Sequence, residues 1–328
     1  MLINERERAA VCIVGNANID VLMKSIDEVP AWGTEKMVDS YEERLGGCAA
    51  NSAVVLASLG QEVHIVATVG EDRHGDELRS TLEEAGVNVQ GLKTGRQRTG
   101  MSLSLNRRDG ERLFVTYPGT MFETSTDEIV AYLTEEASSC KLLLLTGYFL
   151  LRPDLDAERI LTHATKLGML TLFDTGWPLE DWDEGTRERI TKLLPHVDYF
   201  LPNEMEACAI ASEPNDALAA EQLSVLCRRG VIVKRGRGGS TYQDKQRKLE
   251  AQGYRVGVRD TVGAGDSYNA GFIYGLSQGW ELARCLELGN AVAAAVISRE
   301  SGFHVKWAHI HELLEGSSKL GQCSANLL

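Results

Sequence analysis

The chain has 328 residues, 47 of them acidic and 34 basic, for a formal net charge of −13. That balance argues against nucleic acid or an anionic membrane as a partner, but not against a nucleotide, which needs only a local positive site. The length is ample for a large core, and the chain carries no apolar run of the roughly 18 residues that a membrane span requires.

Met1 to Arg8 lacks a basic stretch leading into a long apolar one, so no signal peptide is expected. Seven cysteines stand at 12, 48, 140, 208, 227, 285 and 323, none in a C-x-x-C pair. Their odd number and wide spacing fit reduced thiols and a cytoplasmic protein rather than a zinc site or a disulfide framework.

In chain order, Val11-Cys12-Ile13-Val14 reads as a buried parallel strand closed by Gly15, and Asn18 and Asp20 follow at its C-terminal end. Two residues apart on extended backbone, they face the same way and suit adjacent hydroxyls of a sugar; a turn stabilised by Asn and Asp is the alternative. The run Gly15-x-Ala17-x-x-Asp20 lacks the second and third glycines of a dinucleotide fingerprint. Residues 21–44 show no helical period and could form short strands. Gly46-Gly47 then opens a helix that carries Asn51 in its first turns and stops at Gly60; the glycines either expose backbone amides to a ligand or allow tight helix packing.

His64 to Gly70 reads as a strand, Gly70-x-Asp72-x-x-Gly75 as a structural turn, and Glu77 to Ala85 as a helix. Residues 100–105 and 112–117 are β-like runs about an Asp109-Gly110 hairpin signal. With 21–44, the 99–118 region could form a small β-lid. From Glu128 onward helix and strand alternate, which implies an α/β fold with a parallel sheet whose strand ends converge on one edge. Asp174, Asn203 with Glu206, and Lys234 with Gly236 and Gly239 all follow such strands. Asn203 and Glu206 fit a metal-linked N-x-x-E pair and a helix capping box equally well. Leu282–Leu288 reads as a helix ending near Gly289-Asn290, and 316–328 as a disordered tail after a single domain of residues 1–315.

The stretch Arg259 to Phe272 is the most informative. Gly263, Ala264 and Gly265 are small enough for backbone amides to approach an anion, and the pattern turns helical from Ser267. Asp266 would sit beside that anion, where a carboxylate is useful for taking a proton from an attacking hydroxyl. The plainer alternative is a Gly-rich turn with Asp266 as a helix cap.

Asp260-Thr261-Val262-Gly263-Ala264-Gly265-Asp266 closely resembles the C-terminal D-T-x-G-A-G-D motif of the PfkB, or ribokinase-like, family, and Gly46-Gly47-x-x-x-Asn51 resembles its N-terminal motif. The resemblance implies a ribokinase-like α/β fold with a β-lid, and an ATP-dependent carbohydrate kinase. It makes Asp266 the base and Gly263, Ala264 and Gly265 the anion hole. Asn18, Asp20, Gly46, Gly47 and Asn51 would fix the sugar. Asn203, Lys234, Gly236, Gly239, Thr261 and Asn290 would lie on the nucleotide side, and Glu206 would reach Mg²⁺ through water. K⁺ activation and a homodimer through the lid are further expectations. Cys48 stands where ribokinases usually carry Lys, which counts against ribose itself. Asp174-Thr175-Gly176 departs from the D-x-N-x-R of some sugar-acid kinases in the family. A nucleoside kinase on the same scaffold and a catalytically silent sugar-binding regulator are the alternatives.

Overall fold

The computed structural model describes residues 9–107, 112–299 and 302–315. The Asp109-Gly110 turn and the tail from Gly316 lie outside the described residues.

The large sheet is built on β1 (Ala10–Val14), whose alternate side chains enter two different cores. Val11 and Ile13 face one cluster, while Ala10, Cys12 and Val14 face the other. A strand buried on both faces reads as a continuous apolar run, which is why it was legible as a parallel strand. β4 (Val63–Gly70) and β5 (Asn88–Gly95) extend the sheet on one side of β1. On the other side come β8 (Cys140–Leu145), β9 (Leu170–Phe173), β10 (Tyr199–Phe200) and β11 (Gly230–Lys234). β12 (Ser240–Gln243) and β13 (Lys248–Ala251) complete it. Among the described residues the order is β13-β12-β11-β10-β9-β8-β1-β4-β5. All neighbours are parallel except at β11-β12-β13, which are antiparallel.

One core lies against α1 (Cys48–Ser58), α2 (Arg73–Glu84), α8 (Ala264–Ser277) and α9 (Leu282–Ile297). The other lies against α3 (Thr126–Glu135), α4 (Ala157–Lys166), α5 (Glu184–Leu193), α6 (Glu204–Ala211) and α7 (Asp216–Ser224). This two-faced covering is the doubly wound solution for a parallel sheet.

The second sheet has β2 (Asn18–Ile26), β3 (Ser40–Gly46), β6 (Met101–Arg107) and β7 (Arg112–Tyr117) in the order β3-β2-β6-β7. It begins earlier and ends later than the 21–44 boundary: Asn18 pairs with Gly46, and Asp20 with Arg44. The expected sugar-side residues therefore form the root of the small sheet.

Four further differences have local causes. β5, β12 and β13 were not legible: β5 and β13 are edge strands that bury few side chains, and β12, though buried, is a short polar run without an apolar signal. α2 starts at Arg73 rather than 77, since Asp72 caps it by accepting the Gly75 N–H at 2.9 Å. α9 runs unbroken through Gly289, where a side chain would press on the Tyr268 ring of α8; the glycine serves helix packing, not termination. α8 starts at Ala264, so part of the expected Gly cradle is the helix's own first turn.

Candidate active site

Gly263 caps α8 at φ 71°, with no side-chain hydrogen bond at the helix end. A side chain here would overlap the Phe303 ring as well as occupy the left-handed region, so glycine is required twice over. The chain contacts of this turn run from the Ala264 N–H to the Thr261 carbonyl at 3.3 Å, and from the Ser267 N–H to the Gly263 carbonyl at 2.9 Å. First-turn amides and the helix dipole make such an end attractive to an anion.

Asp266 lies in that first turn and is buried. Its Oδ2 accepts the Asn51 side-chain N–H at 2.8 Å, and the Ser52 hydroxyl donates to its backbone carbonyl at 3.2 Å. The Cys48 side chain also helps hold the carboxylate in its charged form. α1 and α8 are thus stitched together at their N-termini. Burial pushes the Asp266 carboxyl up to about 7; the Asn51 hydrogen bond and Lys234 pull it down, and Asp174 pushes it further up.

Asn18 donates to Asp20 Oδ1 at 2.8 Å, and Asn16 donates to Asn18 Oδ1 at 2.9 Å while its own Oδ1 accepts the Cys48 N–H at 3.2 Å. This ladder of three alternate side chains joins the end of β1 to the start of α1. Any side chain at Gly46 would collide with the Asp20 carboxylate. At Gly47, φ 95° and the close Asn16 carbonyl exclude one too. Burial pushes Asp20 up to about 6, against the lowering effects of Arg44 and the Asn18 hydrogen bond. The structure therefore brings Asn18, Asp20, Gly46, Gly47, Asn51 and Asp266 to one place, through Asn16 and Cys48. Asn16 was not singled out from sequence, although its two-residue spacing from Asn18 continues the same face.

Lys234 ends β11. Its ammonium lies 2.8 Å from Asp174 Oδ2 and 3.3 Å from Asn269 Oδ1. Asn203 forms a bridge beside Lys234 and caps α6: its side chain accepts the Glu206 N–H, and Glu206 accepts the Asn203 N–H, each at 2.8 Å. The capping-box alternative for this pair is thus what the chain adopts. Glu206 is buried, and burial with the nearby Asp174 raises its carboxyl to about 7 against the pull of Lys234. Asp174, Glu206 and Asp266 all act electrostatically on Lys234, and Mg²⁺, which keeps its waters and uses few protein carboxylates, fits such a setting through water rather than in a cage. No cluster of three or more His, Cys, Asp and Glu among the described residues forms a metal cage.

Two of the nucleotide-side residues meet at the end of β13. Gly239, at φ 85°, packs against the Ala251 carbonyl, and Asn290 donates to the Ala251 and Gln252 carbonyls at 3.1 and 3.3 Å. Gly236 and Thr261 are exposed, with open space around Gly236. None of these four is bonded to Asp266 or Asn51. Phe303 and Asn269 had no sequence signal of their own: one is a lone aromatic far from any motif, the other is concealed inside the α8 motif.

The profile of the pfkB family carbohydrate kinases matches residues 8–306. An ATP-dependent ribose-1-phosphate kinase from Halopiger xanaduensis is 29% identical, over 88% of this chain and 92% of its own. A 5-dehydro-2-deoxygluconokinase from Shouchella clausii is 29% identical, over 80% of this chain and 83% of its own. In three dimensions, the Arabidopsis thaliana ribokinase complexed with ribose and ATP superposes with a TM-score of 0.80 at 21% identity, over 94% of this chain and 99% of its own. The family match runs across nearly the whole chain, including the Gly-capped helix end and the buried carboxylate beside it, and the protein belongs to the pfkB family of carbohydrate kinases.

Proposed function

We propose that this chain transfers the γ-phosphoryl group of ATP to a hydroxyl of a small sugar or sugar derivative, with Asp266 as the base. The observation that carries this is the placement of the Asp266 carboxylate: buried in the first turn of α8, beside amides with no side-chain cap, and bonded to Asn51 near the root of the small sheet. The sugar would lie between that root and α8, held by Asn18, Asp20, Asn51 and the Gly46-Gly47 backbone. Its hydroxyl proton passes to Asp266 as the oxygen attacks the γ-phosphorus, and the bond to the bridging oxygen of ADP breaks. The Gly263, Ala264 and Gly265 amides hold the negative charge in transfer. A pKa near 7 suits a group that must accept a proton at neutral pH and release it afterwards.

The nucleotide would run along Lys234, Gly236 and Gly239 toward Thr261 and Asn290. Mg²⁺, when bound, would neutralise the phosphates, with Glu206 reaching it through water. The small sheet would exclude water from the reaction. Its exposed apolar side chains, Tyr41, Leu113, Phe114, Val115 and Tyr117, would pair two copies; a sedimentation mass of one chain at working concentration would contradict that. K⁺ activation is tested by replacing K⁺ with a tetraalkylammonium ion. The six described cysteines are free thiols, in keeping with a cytoplasmic protein, and no helix of the described residues is long and apolar enough to cross a membrane.

Substrate class is read by measuring ADP release from MgATP across sugars, sugar phosphates, sugar acids and nucleosides. Turnover with one sugar or sugar derivative supports the proposal and names the acceptor. Turnover confined to nucleosides moves the assignment to a nucleoside kinase, and ATP binding without turnover on any acceptor contradicts a catalytic role.

A further inference from the structure

Lys234 is in an unusual electrostatic position. Its side chain is only 11% exposed, and a methyl group at Gly265 would stand 3.6 Å from its ammonium. A cation is thus buried against the first turn of α8, at the positive end of the helix dipole, where cations are disfavoured. The Asp174, Glu206 and Asp266 carboxylates offset that cost, but an ion pair with a purely structural purpose draws no benefit from the helix end itself. A cation meant to meet an anion at the helix end does.

The side chains around Lys234 hold it there. Asp174 Oδ2 accepts from Lys234 at 2.8 Å and also from the Asn269 side-chain N–H, while its Oδ1 accepts the Gly176 N–H at 3.1 Å. Asn269, one turn into α8, returns its Oδ1 to Lys234 at 3.3 Å. The three groups close a triangle between the ends of β9 and β11 and helix α8. An ammonium has three N–H donors. Two are directed at Asp174 and Asn269, and among the described residues the third is left for a group at the helix end.

We propose that Lys234 is a catalytic residue that donates a hydrogen bond to the phosphoryl group in transfer, and that Asp174 and Asn269 are positioning residues that aim it. This rests on the kinase reading above. No proton moves: the ammonium keeps its charge and its bond to Asp174 while its third N–H meets a phosphoryl oxygen. The competing explanation is that Lys234 only neutralises Asp174 and Glu206.

The two explanations separate in a set of variants: Lys234→Met, Lys234→Arg and the double variant Lys234→Met/Asp174→Asn. For each, melting temperature, MgATP and MgADP affinity, and steady-state kinetics on the accepted sugar are measured. The expected result is a loss in kcat of about 100-fold or more for Lys234→Met, with KM for the sugar nearly unchanged. MgATP affinity falls by about 10-fold while MgADP affinity is held, since only ATP carries the contacted group. Lys234→Arg keeps part of the activity. The double variant removes the charge imbalance and recovers the melting temperature, yet stays as slow as Lys234→Met. Recovery of wild-type turnover in the double variant, or equal loss of ATP and ADP affinity in Lys234→Met, would overturn the proposal. A wild-type protein that neither binds MgATP nor turns over any acceptor would remove the kinase reading itself, and this inference with it.

Discussion

The Asn51 side-chain N–H donates to Asp266 Oδ2 at 2.8 Å, so the first turns of α1 and α8 are joined by the group proposed as the base. The bond favours the charged form of the carboxylate. Replacing Asn51 with Ala should therefore raise the Asp266 pKa further and move the acid limb of kcat/KM to higher pH. A fall of about 10- to 100-fold in kcat/KM at pH 7 is expected, partly regained at pH 9. A pH–rate profile checks it, and an unshifted acid limb would count against Asp266 as the titrating base.

Wild-type kcat/KM should fall as pH drops below about 7, the value to which burial lifts Asp266. The same shift bears on stability. The folded carboxyl binds its proton more tightly than an ordinary one at 3.8, so its contribution to folding is fully present below that value and is lost as pH rises to about 7. Asp20, at about 6, acts in the same direction. Asp266→Asn should consequently raise the melting temperature at pH 8, by roughly 2 kcal/mol or less of stability, and change it little at pH 4. Thermal melts at the two pH values would show this difference, or its absence.

Gly263 carries both a left-handed backbone and the Phe303 ring against its Cα. Gly263→Ala should cost about 2 kcal/mol or more, combining backbone strain with overpacking. Adding Phe303→Ala relieves the overlap but not the φ of 71°. Denaturant melts of the two variants should therefore show only partial recovery in the pair.

Asp72 holds a turn that is assigned no part in the proposed chemistry. Its carboxylate accepts the Gly75 and Thr99 N–H groups, both at 2.9 Å, and the Thr99 hydroxyl at 2.7 Å. Asp72→Ala should destabilise the fold by about 1–3 kcal/mol through three orphaned donors. Specific activity per folded molecule should be retained, as measured by turnover against the fraction folded; loss of kcat in fully folded protein would assign Asp72 a second role.

Much of this architecture was legible because its signals are local. β1 and β8 are apolar runs with Gly or Thr-Gly at their ends, and the Gly263 to Asp266 stretch names its own chemistry. What was not legible depends on distant partners. Gly289 reads as a stop until Tyr268 is seen packed on it. Asn18 and Asp20 read either as extended backbone or as a turn after β1, and only their pairing with Gly46 and Arg44 decides for a strand. The Asp174–Lys234–Asn269 triangle spans 95 residues of sequence and no single motif contains it.

The central claim is that Asp266 accepts the acceptor hydroxyl's proton. It is tested most directly by single-turnover phosphoryl transfer in Asp266→Asn at pH 8, with MgATP affinity measured alongside. A loss of about 1,000-fold or more in the rate, with ATP affinity preserved, is the predicted result. A rate within about 10-fold of wild type, in a variant that binds ATP normally, would contradict it.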